Sequence, residues 1–131
     1  MINDLFIESK SLYSFEDTIE KLSRGIEENG WKLTAINDLQ QTLRNFGKEV
    51  LAVKVFSLCH PKHSARILEL DEERIVSSLM PCRISIYEKS DGNVYISRMN
   101  TGSLAKSIGG IIEMVMVDST KDVEEILKKL L

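Results

Sequence analysis

Cysteine and proline are both scarce in this 131-residue chain, two of each, and tryptophan occurs once. So few cysteines cannot make a disulfide framework, and without an export signal beside them they read as reduced thiols of the kind a cytosolic glutathione pool maintains. The segment Met1-Ile2-Asn3-Asp4-Leu5 has neither the basic start nor the apolar run of a secretory leader. No apolar stretch reaches the roughly 20 residues that cross a bilayer. A cytoplasmic location with no membrane partner is expected. Excess positive charge is missing too. A net charge of −3 and a pI near 5.4 leave no basic stripe to displace counterions from a phosphate backbone, so no nucleic-acid partner is expected. There are no internal repeats, no linkers and no glycine-rich phosphate cradle; Gly109-Gly110 is too short for one.

What the chain does have is a concentration of its rare residues. Both cysteines, both histidines and both prolines fall between Val50 and Glu88. A strand from Val50 to Leu58 runs into Cys59-His60-Pro61, and the chain returns through Met80-Pro81-Cys82-Arg83 into a second strand. Leu51, Val53 and Val55 share one face of the first strand with Ser57 and Cys59, while Val50, Ala52, Phe56 and Leu58 share the other with Lys54. Both faces are largely apolar, which predicts a central strand covered on both sides. Pro61 suits the first position of a helix to about Leu68, where its missing N–H is not needed. In the second strand Cys82, Ile84 and Ile86 share one face, with Arg83, Ser85 and Tyr87 on the other.

The flanking segments complete an α+β pattern. Leu5 to Ser11 alternate as a first strand. Ser14 caps a helix whose Phe15, Ile19, Leu22 and Ile26 form one apolar stripe, closed by Asn29-Gly30. Trp31, Leu33 and Ala35 alternate as a strand. Asp38 then caps a short helix bearing Leu39, Leu43 and Phe46, ended by Gly47. Ser90-Asp91-Gly92-Asn93 is a hairpin signal leading into Val94 and Ile96. After Asn100-Thr101-Gly102, a helix carrying Leu104, Ile108, Ile111, Ile112, Val115 and Met116 is interrupted at Gly109-Gly110. Asp118-Ser119 punctuates, and Ser119 or Thr120 caps a final helix with Val123, Ile126, Leu127 and Leu130. Short connections and a tight hairpin predict a single domain over 1–131, two-layered, with a largely antiparallel sheet and helices packed on it. Met99, Met114 and Met116 make an adaptable apolar patch, read as core.

Taken together, Ser14-Phe15-Glu16-Asp17-Thr18, the Gly30-Trp31 junction, Ile36-Asn37-Asp38-Leu39, Cys59-His60-Pro61 and Leu79 through Glu88 resemble the domain of unknown function family numbered three-hundred-and-two, an uncharacterised bacterial and archaeal group. The resemblance covers about residues 5–100. Arg98-Met99-Asn100-Thr101-Gly102 with Ile108-Gly109-Gly110 is similar to an extended version of the family, with a helical extension over about 103–131. The resemblance implies a two-layer fold like the TATA-binding-protein arrangement, a homodimer, and no established activity. The family pattern usually has Asn where this chain has His60; Asn is a good N-cap and His a poorer one.

Three kinds of chemistry fit the residues. Cys59 stands where a strand meets a helix N-terminus, a position that favours thiolate, with Cys82 as a possible resolving partner. His60 and His63, three residues apart on a helical turn, join Cys59 and Cys82 as a Cys2His2 inventory for a metal. Arg83 at a strand entry suits a forked contact to a carboxylate or phosphate. No complete catalytic or cofactor signature accompanies them, so no cofactor is assigned. The expectation is a small-ligand-binding or interaction module with Cys59, His60, Pro61, Cys82 and Arg83 at its site. The alternative is a thiol- or metal-dependent redox protein using Cys59, His60, His63 and Cys82.

Overall fold

The alternation read in the strands builds a five-stranded antiparallel sheet in the order β1-β5-β4-β3-β2. The strands are β1 (Phe6–Lys10), β2 (Lys32–Asp38), β3 (Val53–Cys59), β4 (Cys82–Glu88) and β5 (Val94–Met99). The computed structural model describes residues 2–131; Met1, where the segment read as lacking a leader begins, lies outside them. Around the sheet run α1 (Ile2–Leu5), α2 (Phe15–Glu28), α3 (Leu39–Asn45), α4 (Pro61–Leu68), α5 (Thr101–Leu104) and α6 (Gly110–Leu127). Short 3-10 segments cover Glu73–Leu79, Ala105–Ser107 and Lys128–Leu130. Among the described residues, no helix is long and apolar enough to cross a membrane.

Local signals explain most boundaries. The Asp17 N–H donates to the Ser14 hydroxyl at 3.2 Å and the Gln41 N–H to the Asp38 carboxylate at 3.0 Å, so both expected N-caps satisfy a helix-end donor. Gly30 takes a φ of +81° just past α2, the left-handed turn that glycine accepts without a Cβ penalty. The hairpin at Asp91-Gly92 joins β4 to β5, where Ile86 pairs with Ile96 and Tyr87 with Tyr95. The Met80–Pro81 peptide is cis.

One face of the sheet carries the core. Phe56, Leu58, Ile84, Ile86 and Ile96 are wholly buried against Leu22 and Ile26 of α2 and Val123, Ile126 and Leu127 of α6. Burial of each such side chain stabilises the fold by about 1.5–3 kcal/mol. Gly25 lets α2 and α6 approach closely: a Cβ there would stand 3.3 Å from the Ile126 side chain. A second cluster of Ile67, Val76, Ala105, Ile112, Val115 and Met116 fastens α4 and the 3-10 segments to the N-terminal half of α6.

Three expectations change. Of the methionine patch read as core, Met116 is buried but Met99 and Met114 are exposed. β3 lies inside the sheet, between β2 and β4, but its faces are covered unequally: Phe56 and Leu58 are wholly buried on one, and on the other only Ser57 is buried. Val53, Val55 and Cys59 are half-buried, because the element beside them is the short α3, which has no buried residue. The last helix is also longer than expected. Asp118, Ser119 and Thr120 do not break it; α6 runs unbroken from Gly110 to Leu127. The Thr120 hydroxyl donates back to the Met116 carbonyl at 2.8 Å and accepts from the Gly102 N–H at 3.2 Å, so its hydrogen bonds close within the helix and onto α5.

Candidate functional site

β3 ends at Cys59, and His60 turns the chain with extended backbone angles of φ −102° and ψ 112° into Pro61, the first residue of α4. The His60 side chain makes no capping hydrogen bond. Helical spacing then sets His63 one turn on, over the same face, with the two imidazole centroids 4.6 Å apart. Trp31, placed by the Gly30 turn, meets His60 edge to face at 5.3 Å and His63 at 6.0 Å.

α4 packs against α6 and supplies a partner absent from the sequence reading. His63 Nε2 lies 2.7 Å from Asp122 Oδ2. One turn along the same seam, Arg66 Nη1 donates to Asp118 Oδ2 at 3.2 Å. His60 Nδ1 is out of reach of solvent and has no hydrogen-bond partner among the described residues. Burial, and then the charge of the His63 ring, hold the His60 imidazole below the ordinary histidine value. A nitrogen from each histidine and an oxygen of Asp122 all lie within 4.8 Å of one another. Neither cysteine belongs to this group.

The cysteines are both free and placed differently. Cys59 Sγ sits 2.9 Å from the Ser64 hydroxyl. Cys82 pairs in register with Leu58 and packs against the main core. Burial, followed by the proximity of Cys59, pushes the Cys82 thiol up to about 11. A thiol held protonated at neutral pH is a poor nucleophile. Cys82 does reach the histidines: it lines a cavity of about 30 Å³ together with Trp31, His60, His63 and Pro81. That space holds about two or three waters.

Cys82 and Pro81 also wall a larger cavity of about 90 Å³ with Arg83, Arg98 and Glu124. Arg83 is exposed and makes no ion pair among the described residues. Arg98, by contrast, is buried and fully engaged. Its Nε and Nη2 donate to the two Glu124 oxygens at 2.8 and 2.6 Å, and its Nη1 to the Ser9 hydroxyl at 2.9 Å. The structure thus gathers Pro81, Cys82 and Arg83 at one cavity and His60, His63 and Cys82 at its neighbour, with Cys59 lining neither. Asp122, Arg98 and Glu124 were missed because each meets its partner from 26 or 59 residues away along the chain, with no local spacing to mark it.

Comparison with known proteins gives relatives that are themselves uncharacterised. The model of a family described as "Domain of unknown function DUF302" matches residues 7–131. An uncharacterised protein of Aquifex aeolicus (strain VF5) is 27% identical over 119 residues, covering 88% of this chain and 76% of that protein. The crystal structure of an uncharacterised conserved protein DUF302 from Bacillus stearothermophilus superimposes with a TM-score of 0.85 at 18% identity, covering 96% of this chain and 98% of that one.

Proposed function

The chain belongs to the DUF302 family, which has no established function, and from that premise we propose that it is a small-ligand-binding module for an organic anion seated at Arg83. The observation that carries this reading is a forked cation, in no ion pair among the described residues, on a cavity of about 90 Å³. That volume corresponds to about six to nine waters, the scale of a small carboxylic acid and well below a nucleotide. Of the charges on its wall, Glu124 is neutralised by Arg98, which leaves Arg83 as the net positive group. A planar guanidinium matches a carboxylate with two parallel hydrogen bonds. Thr101, Ser119 and Thr120 add hydroxyl groups to the same wall.

The experiment is a thermal-shift series with small mono- and dicarboxylates and inorganic phosphate, run on the full chain and on Arg83→Met. A ligand that binds only the folded state raises the melting midpoint by mass action. The expected result is a concentration-dependent rise with one carboxylate that Arg83→Met abolishes while its own unliganded midpoint stays put. A rise of equal size in Arg83→Met, or none with any anion, would sink the reading.

We also propose that two copies pair through the apolar side chains displayed around α3. Ile36, Leu39, Leu43 and Leu51 are exposed there, and Phe46 is 79% exposed. Large apolar side chains exposed in such number are what an interaction surface presents. Light scattering should give twice the chain mass, and Phe46→Glu should return it to one. A cytoplasmic home goes with two thiols left unpaired.

A further inference from the structure

We propose that His60, His63 and Asp122 form a binding site for one divalent transition-metal ion, with two imidazole nitrogens and one carboxylate oxygen as its protein ligands. This inference stands apart from the anion reading, since Arg83 is not among these three groups.

The donor set is the first support. Imidazole with carboxylate suits zinc and its neighbours in the first transition row. The three donor atoms already lie within 4.8 Å of one another. Tetrahedral zinc ligands at 2.0–2.2 Å from the ion stand about 3.4 Å apart. The 2.7 Å between His63 and Asp122 therefore opens by about 0.7 Å, and the remaining separations close by up to about 1.4 Å. Asp122 is 47% exposed at its side chain and His63 16%, so the site has an outer, yielding ligand and an inner, fixed one.

His60 supplies the second support. A plain strut between α4 and α6 explains His63 with Asp122, as Arg66 with Asp118 does one turn away. It does not explain why a second imidazole lies 4.6 Å from the first, tilted by 45°, with its Nδ1 buried and bonded to nothing among the described residues. Buried polar atoms are almost always paired, and the exceptions call for an account. A metal ion takes that lone pair.

Coordination number gives the site its character. Three protein ligands leave a fourth position, the arrangement of exchangeable or reactive sites rather than of closed structural ones. The small cavity lined by His60, His63 and Pro81 has room for the water that would fill it.

The test uses the full chain, freed of metal with a chelator. Calorimetric titration with Zn2+ should show one ion per chain. Co2+ should give the visible bands of a four-coordinate nitrogen and oxygen site with no thiolate-to-cobalt charge-transfer band. His60→Ala and Asp122→Asn should each weaken Zn2+ binding by more than the roughly 10–100-fold that loss of an outer-shell partner costs. Cys59→Ser should leave binding unchanged. Melting of each metal-free variant reports whether it is folded. Asp122→Asn keeps the shape of the side chain and decides the matter alone should His60→Ala fail to fold. The proposal is overturned by absence of stoichiometric binding, by a thiolate band, or by affinity that Asp122→Asn does not lower.

Discussion

On the helix-covered face of the sheet, Phe56, Leu58, Ile84, Ile86 and Ile96 are wholly buried, whereas on the other face the same strands carry side chains bonded to one another within reach of water. There Tyr87 donates its hydroxyl to Glu8, Lys89 reaches the same carboxylate at 2.8 Å, Tyr95 donates to Asp91 at 2.5 Å, and the Tyr87 and Tyr95 rings stack at 6.3 Å. The covered face is held by area removed from water, which is large and insensitive to salt or pH. The open face is held by exposed polar contacts, individually worth little. The difference separates labour within one sheet: stability is concentrated on one side, leaving the other and the strand ends free to carry exposed charges such as Arg83.

The largest expected effect lies on the covered face. Phe56→Ala removes a ring at 0% exposure from the middle of the core and should cost about 3–5 kcal/mol. Chemical denaturation measures it, and a loss below about 1 kcal/mol would show that the core there is loosely packed. The next test joins the two regimes. Arg98 is a charge on the covered side, 6% exposed, and Glu124→Ala strands it. Breaking a buried pair by removing one partner costs about 3–5 kcal/mol, and because Glu124 is 38% exposed at its side chain, the lower end of that range is expected. The double variant Arg98→Met with Glu124→Ala should recover part of the loss, since the uncompensated charge is then gone. No recovery would mean that the pair contributes by packing instead.

How much of this contrast was legible in the sequence depends on its range along the chain. The period of two placed Cys82, Ile84 and Ile86 together on a face opposite Arg83, Ser85 and Tyr87, and the structure keeps that division. Caps and the hairpin, which depend on residues two to four apart, were legible as well. β3 was harder: its two apolar rows look alike, and only the positions of α2 and α6 decide that Phe56 is buried while Val55 is half-exposed. The break expected at Asp118-Ser119-Thr120 failed because Ser and Thr favour helix ends only when their hydroxyls have no better partner inside. In the candidate site, His60 and His63 came together through local spacing. Asp122, looking from sequence like one more acid on a solvated helix face, joined them only through the packing of α4 on α6.

On the open face the effects shrink. Tyr87→Phe deletes the hydroxyl that Glu8 accepts from and should cost about 1 kcal/mol, a fraction of the Phe56 effect. A cost equal to that of Phe56→Ala would erase the division between the faces. Lys89→Met, removing an exposed cation from the same carboxylate, should cost less than Tyr87→Phe and lose its effect in high salt.

The smallest effect is the one that pH reads out. Burial, and then the hydrogen bond to Glu8, push the Tyr87 phenol from its ordinary value of 10.0 up to about 12. A raised folded-state pKa means that the neutral phenol is favoured by folding. Its contribution is complete below pH 10.0 and fades as pH rises through about 12. Glu8 works in the opposite sense. Its hydrogen bonds from Lys89 and then Tyr87 hold the carboxyl below the ordinary value, so its contribution is present above the usual carboxylate range and fades as pH falls through the lowered value. Cys82, packed against the covered face with its thiol pushed up to about 11, shares the alkaline window, so the tyrosine is read by its own absorbance. Alkaline absorbance titration should therefore show a late-ionising tyrosine that Tyr87→Phe removes, with a loss of stability over the same interval. If all three tyrosines ionised together near the ordinary value, the Tyr87–Glu8 bond would not persist in solution, and the open face would be held by its backbone ladder alone.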